Sequence, residues 1–446
     1  MTSQRRITST LTSNATVTRI SAVRGLQFAP NKTTDLTLRP GVRGPQIGDS
    51  TSNPALLTQG DITVELHTRP YDDSKVHDFW RSFAQTRDAD PDFLSFLVSS
   101  RPEAEELNIL VVRRDHRIEA LLVGRQEWMR HEAKVGYLRF FTPSLRTLIV
   151  SYGGWLGPID DLSATALVDG LLEMLRLRRT DATLFHFLPS NSPLARQALT
   201  RPPRLVRDRS VSRETHRFLR CSSGAESLLQ SISTNERSNQ RRRGRKLAKD
   251  FHRVDIETFR RPEDIAPLMT RAEHVAQRSY QRGLGVGFSS SNDIRSRLQY
   301  FADAGWLRGF ALLLNGSPCA FWIGSLRRGV FVSDYLAFDP AYSKYAPGMY
   351  LTLESLALLE KDQSAPIHCV DFGLGDAVYK ERLGNASEEE SQVLIYGTSP
   401  RALAANFMRS TLGRVNPWLR SLANANAWAA QAKKIMRSRY AARDGA

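Results

Sequence analysis

Cysteine is scarce in this chain. Its 446 residues hold three, Cys221, Cys319 and Cys369, widely spaced and without a CxxC pair. That argues against a disulfide framework or a zinc site and fits a reducing cytosol. No uncharged apolar run approaches the ~18 residues needed to span a bilayer. The N-terminal MTSQRRITSTLTSNATVTRIS has no apolar h-region, so no secretory signal is expected. The nine histidines show neither HExxH nor paired spacing, and Ser151 and Ser325 stand in no GxSxG elbow. Metal-assisted and serine hydrolysis therefore lack a motif, and no metal is expected. GLGVG at residues 283–287 lacks the GxGxxG spacing and the preceding strand, which removes a Rossmann reading.

Positive charge and ordinary apolar content are what the chain does have. A formal charge of +16 calls for anionic partners: nucleic acid, anionic lipid or a polyphosphate-bearing cofactor. With 41% hydrophobic residues there is material for two or three cored domains. Residues 1–58 are rich in Ser, Thr, Asn and Arg without periodicity and read as a disordered tail. Residues 59–220 then alternate strand and helix patterns. DITVELHT and ATLFHFLP read as strands, VHDFWRSFAQT and LSATALVDGLLEMLRLRR as helices, and LNILVVRRDHRIEALLVGRQEW as two strands around an Asp115-His116 turn. Residues 221–399 repeat that rough order without a residue-level repeat, and a meander turns at Asn315-Gly316 and Arg328-Gly329. Residues 400–446 are helical, Ala-rich and basic, with Pro417 expected to break the helix. A basic helix of this kind either packs on its own domain or lies on an anionic membrane surface. The expected location is the cytoplasm, with peripheral attachment to the inner face of the membrane as an extension of that reading.

The chain is organised around residues 329–384. GVFVSDYLAF reads as a strand that turns at Asp339-Pro340. AYSKYAPG is a small-residue loop, MYLTLESLALLEK a helix, IHCVDFG a second strand, and DAVYKERLG a second helix. In open α/β sheets such a junction is where ligands sit, and a helix N-terminus there favours a phosphate.

These segments, with YQRGLGVGF (280–288) and GWLRGFALLLNGSPCAFWIG (305–324), resemble the GNAT superfamily of acyl-CoA-dependent acyltransferases. Within it the chain looks like the double-domain FemAB-like branch (BioF2-like acetyltransferase domain) associated with cellulose or exopolysaccharide biosynthesis. The likeness covers residues 228–395 best, and the first half matches in layout alone. It implies an α/β (α+β) fold of two tandem GNAT-like domains. Each would be a mixed, mostly antiparallel central sheet flanked by helices, and the first would be a degenerate copy shaping the acceptor cleft.

The resemblance also assigns roles. In the family's pyrophosphate loop a basic residue is followed by two small ones; here the places hold Ser343, Ala346 and Gly348, so the cofactor-side residues are Ser343, Lys344, Ala346, Gly348 and Met349. Small residues let backbone N–H groups approach the pyrophosphate, whereas Ser343 replaces the basic residue and Pro347 removes a donor. Tyr379, in the Ala-x-x-Tyr-x-x-x-Gly segment, is the expected acid for the departing thiolate. The general base is expected to be Asp334, placed inside an apolar strand where an unpaired carboxylate is costly, with Asp371 and Asp376 as alternatives. Tyr280, Gln281, Arg282, Asp371 and Lys380 make up the substrate side. Lys380 reads either as a phosphate contact or as a solvated side chain. The basic run from Arg237 to Lys249 reads as covering most of a helix circumference.

The expected activity is transfer of an acyl group from acetyl-CoA or another acyl-CoA to an amine. The acceptor would be a small molecule or glycolipid, with an amino sugar of a surface polysaccharide foremost. Aminoacyl transfer from tRNA and a non-enzymatic basic protein on membrane or nucleic acid are the alternatives.

Overall fold

The computed structural model describes residues 55–69, 72–135, 138–221, 227–279, 282, 287–363 and 365–425. The expected tail lies outside the described residues except at its end, where β1 (Ala55–Gln59) opens the fold. The first half continues with β2 (Ile62–His67), α1 (Ser74–Phe83), α2 (Pro91–Ser100), β3 (Ala104–Arg114) and β4 (Arg117–Met129). A small hairpin of β5 (Glu132–Val135) and β6 (Leu138–Phe141) follows, then β7 (Leu145–Leu156), α3 (Asp161–Arg176), β8 (Ala182–Pro189), α4 (Pro193–Thr200) and β9 (Ser212–Arg220). The second half comprises α5 (Leu228–Ser231), α6 (Thr234–Asp250), β10 (Val254–Phe259), α7 (Ile265–Ala276), α8 (Asn292–Asp303), β11 (Leu307–Leu314), β12 (Ser317–Arg327) and β13 (Val330–Phe338). It closes with α9 (Pro347–Glu360), β14 (Cys369–Leu374), α10 (Val378–Leu383), β15 (Ala386–Tyr396) and α11 (Pro400–Ala425).

Local chemistry sets the turns. Asp115 and His116 have φ of 47° and 64°, and Asn315 and Gly316 have φ of 50° and 84°. Two consecutive positive φ values match the right-handed twist of the strands they join. Helices begin where a short polar side chain takes orphan amides: Asp90 caps α2, Ser233 caps α6 and Ser291 caps α8. α11 stays helical through Pro417, where a break was expected. Its N-terminal part is anchored before the ring is reached, by buried Ala402 and Ala405 and by the Arg409–Asp208 ion pair.

A mixed sheet of 13 strands dominates, in the order β1-β2-β3-β4-β7-β8-β15-β9-β14-β13-β12-β11-β10. Two neighbouring pairs run parallel, β7 with β8 and β13 with β14, and each brackets a crossover helix, α3 or α9. Sequence reasoning gives each half a sheet of its own, but the sheet is continuous. β15, the last strand, pairs with β8 of the first half, and β9 of the first half pairs with β14. Each half thereby covers the strand edge that the other would leave open.

The cores follow the sheet. On one face, Trp80 and Phe93 of α1 and α2 share a cluster with Phe301 of α8, Phe321 of β12 and Tyr335 of β13. Across the sheet, α9 packs Leu351 and Leu356 on Trp322 and Leu336, while α3 packs Leu167 and Leu171 on Leu110 and Val150. The first of these clusters joins the halves, so they are one packed body.

A β-bulge interrupts the β12–β13 ladder. Ile323 faces Tyr335 and Gly324 faces Ser333, so Asp334 is the extra residue. Gly324 admits the approach: a Cβ there would lie 2.1 Å from the Val332 carbonyl oxygen. Gly324→Ala is expected to cost about 2–4 kcal/mol, since a backbone atom rather than a flexible side chain must move. Urea unfolding checks this, and a loss below about 0.5 kcal/mol would show that the bulge can shift freely.

Candidate active site at the fork of the sheet

β13 and β14 pair over three positions, Val330 with Cys369, Phe331 with Val370 and Val332 with Asp371, and then part. Strand alternation places Asp334 on the face that carries Val330 and Val332, and the bulge brings Tyr335 onto the same face, so a carboxylate stands on each prong just where the strands separate.

Asp334 is not unpaired. Its side chain is 9% exposed and accepts from Arg87 Nη1 at 2.7 Å, while the same nitrogen lies 2.8 Å from Ser325 Oγ. Burial alone would lower the Arg87 pKa, but Asp334 and Asp88 raise it, so the guanidinium stays charged. Arg87 comes from the first half, in the one-turn 3-10 helix Arg87–Ala89. Thr86 holds that turn on β7 by donating its hydroxyl to the Tyr152 carbonyl at 2.8 Å. Gly153, with φ of 69°, lets it sit there, since a Cβ would lie 2.5 Å from Thr86 Oγ1.

Asp371 is held by a second cation, again from the first half. Oδ1 lies 2.5 Å from His216 Nε2 and accepts from the Gly373 amide at 2.7 Å. On its other side, His216 Nδ1 lies 3.0 Å from Glu390 Oε1, to which the Tyr152 hydroxyl donates at 2.9 Å. Burial would lower the His216 pKa, but Asp371 and Glu390 push it up to about 9, so the ring is an imidazolium between two carboxylates at neutral pH. For Asp371, burial works upward and is outweighed by His216 and the Gly373 amide, which hold it below the usual range.

This face opens into a cavity of about 490 Å³ between the halves. Gln85, Arg87 and Asp88 line it from the first half, and Tyr152, Val332 and Asp371 from the sheet. The volume suits a small ligand.

The loop and α10 lie at the opposite end of the fork, where the parallel strands finish. Residues Pro340–Tyr345 form a 3-10 turn that ends at Ala346, with φ 50° and ψ 55°. Ala346 is the N-cap of α9, no side chain caps that helix, and Pro347 occupies its first turn. The Gly348 and Met349 amides are thus among the orphan donors of an uncapped helix. Ser343 and Lys344 belong to the turn, and Tyr379 on α10 meets the Phe372 ring edge-on at 6.2 Å. Ser343, Lys344, Ala346, Gly348 and Met349 thus share one turn and helix start after β13, while Tyr379 stands on α10 after β14.

Others do not join them. Lys380 is fully buried and donates to the Gly373 and Leu374 carbonyls at 3.0 and 2.6 Å; burial pushes it down to about 8 against the pull of Asp371. It is neither solvated nor on a phosphate, because its ammonium fastens the end of β14. Arg282 is tied to the Phe288 carbonyl at 2.6 Å and Glu273 at 2.7 Å, away from the cavity lining. Asp376 is exposed and paired with Arg217 at 2.6 Å. Tyr280 and Gln281 lie outside the described residues.

The first half repeats the fork without the open helix end. β7 and β8 pair from Thr147–Ala182 to Val150–Phe185, but α3 is closed by a capping box of Asp160 and Ser163, which puts a carboxylate where an anion would bind. Among the described residues no group of His, Cys, Asp and Glu could hold a metal ion, and no helix is long and apolar enough to cross a membrane.

Residues 234–381 match the Acetyltransferase (GNAT) domain family. The span runs from α6 to α10 and contains both prongs of the fork and the α9 loop, so this half carries a GNAT-type acyltransferase fold. No curated protein matches the chain. Similar solved structures include FemX, at 11% identity over 73% of this chain and 96% of that one, with a TM-score of 0.46. Another is a tandem GNAT protein from the clavulanic acid biosynthesis pathway, at 15% identity over 74% and 97%, TM-score 0.41. A third is L-PGS from Bacillus licheniformis, at 13% identity over 78% and 98%, TM-score 0.41.

Sequence reasoning missed Arg87, Tyr152, His216 and Glu390. The alternation Glu214, His216, Phe218 in SRETHRFLR is the signal by which β9 could have been found. The charged His216 makes a pH prediction. A folded pKa near 9 against an ordinary 6.5 stabilises the fold fully below about pH 6.5, and the contribution is lost as pH rises through 9. Lys380, depressed to about 8, acts in the opposite sense above that pH, so the His216 part is the difference between wild type and His216→Gln. That difference in melting temperature should shrink between pH 6.5 and 9; a constant difference would mean a neutral ring.

Proposed function

We propose that the protein is an N-acyltransferase that moves an acyl group, acetyl foremost, from acyl-CoA to a primary amine held in the cavity between its halves. The observation that carries this reading is the fork: an uncapped helix end at one edge, buried carboxylates where the strands part, and a cavity of about 490 Å³ beyond them. The family match over the same residues supports it.

The donor's pyrophosphate would rest on the Gly348 and Met349 amides, with Ser343, Lys344 and Ala346 shaping the loop. Its thioester would lie in the fork, where β13 parts from β14 beyond Val332 and Asp371, so a β13 amide on that open side would meet the developing oxyanion. Asp371 lines the cavity and takes the role of base. It receives the acceptor ammonium and accepts its proton as the amine attacks the thioester carbon. Asp334 is absent from the cavity lining and is held by the Arg87 guanidinium at 2.7 Å, so it serves as an electrostatic anchor. The C–N bond forms, the C–S bond breaks, and Tyr379 gives its proton to the thiolate and regains one from the nitrogen of the new amide, while Asp371 returns the first to solvent. The products are amide and free thiol, with one proton released to solvent. A cavity of about 490 Å³ accommodates one sugar-sized acceptor, consistent with an amino sugar of a polysaccharide or glycolipid.

Asp371→Asn is expected to lower kcat by about 10²–10⁴-fold with donor affinity unchanged, and Tyr379→Phe by about 10–10²-fold. Steady-state kinetics with acetyl-CoA and a panel of amino sugars, alongside calorimetric donor titration, provides the check. Full turnover by Tyr379→Phe would remove the acid. Titration should also give one donor site per chain, because Asp160 closes the first half's helix; two sites would show that the closure opens.

A further inference from the structure

α6 lies against the donor loop. Gln240 Nε2 donates to the Tyr350 carbonyl at 3.0 Å and to Glu354 at 2.9 Å, Gly244 faces the Tyr350 ring, and Leu247 is buried. Lys246 Nζ donates to the Lys344 carbonyl at 2.9 Å, and the Tyr345 hydroxyl donates to Asp250 at 2.8 Å. One side of α6 is therefore fixed to the first turns of α9 and to the turn before it.

The other side is basic and exposed. The run from Arg237 to Lys249 was expected to surround the helix, and packing undoes that. Arg243 folds back onto Glu236 at 2.6 Å and Arg237 is half-buried. Arg241, Arg242, Arg245, Lys246 and Lys249 remain exposed, and at 100° per residue they span about 140° of the circumference. Among the described residues none of the five forms an ion pair with a carboxylate. Like charges so close repel unless a counterion is shared. The cluster reaches the donor loop at one corner, through Lys246, and Lys344 adds a further cation there.

We propose that this face is an anion subsite for the donor, holding the phosphate that CoA carries on its adenosine 3′ oxygen beyond the pyrophosphate. This rests on the acyl-CoA reading. The ligand class is a nucleotide with both a pyrophosphate and a separate phosphomonoester. The exposed face carries no aromatic side chain on which bases would stack, which favours a small polyphosphate over single-stranded RNA.

Calorimetric titration of CoA and of 3′-dephospho-CoA tests it, with wild type, Lys246→Ala, the double variant Arg242→Ala/Arg245→Ala, and Arg253→Ala as a basic control off this face. Wild type should bind CoA about tenfold more tightly than dephospho-CoA, as loss of charge-assisted phosphate contacts implies. The Lys246 and double variants should reduce that ratio to about twofold or less, with dephospho-CoA affinity barely changed and the control like wild type. Binding of both ligands with the same ratio in every variant would overturn this subsite and leave the acyltransferase reading intact. No binding of either ligand to wild type would overturn both. An RNA oligonucleotide whose binding is lost in these variants, with the CoA ratio untouched, would assign the face to nucleic acid and overturn the subsite.

Discussion

Two carboxylates buried on adjacent strands require two counter-charges, and the rest of the architecture meets that requirement. An isolated ion removed from water costs several kcal/mol unless it is paired. Asp334 is paired with Arg87 and Asp371 with His216, and both cations are supplied by the first half. Neither carboxylate could be buried in a second half standing alone. The first half is therefore an electrostatic component of the site rather than a spare copy beside it. Its own fork lacks an open helix end, yet it positions the guanidinium and the imidazolium that the other fork needs.

Much of this was visible in the residue order. Alternation and turn chemistry located the strands on either side of Asp115-His116 and Asn315-Gly316, because those signals act over a few residues. The βαβ unit around Ala346 was visible for the same reason. Long-range pairing was not. Arg87 and Asp334 are separated by 247 positions, and nothing near Arg87 in sequence marks it as a partner. Lys380 shows the converse failure. Its neighbours suggested a surface cation, while the shape of the β14 end buried it and gave its ammonium two carbonyls. Asp334 was singled out because a charge inside an apolar strand needs a reason. The reason is a partner that only the tertiary structure reveals.

The basic helix illustrates how packing turns composition into a surface. In sequence its charges are spread around the axis, but the Glu236 carboxylate and the contact with α9 withdraw some of them. What is left is one-sided and touches the loop through Lys246. Charge count alone gave no direction, whereas the Gln240, Gly244 and Leu247 contacts do.

The exchanged strands also constrain how the chain is made. β8 acquires its neighbour β15 only after residue 396 has been synthesised, and β9 waits for β14. A nascent first half leaving the ribosome thus carries an unpaired edge at its centre throughout translation of roughly the next 200 residues. Its folding is completed from the far end of the message, which makes premature termination more damaging here than in a protein whose halves close independently.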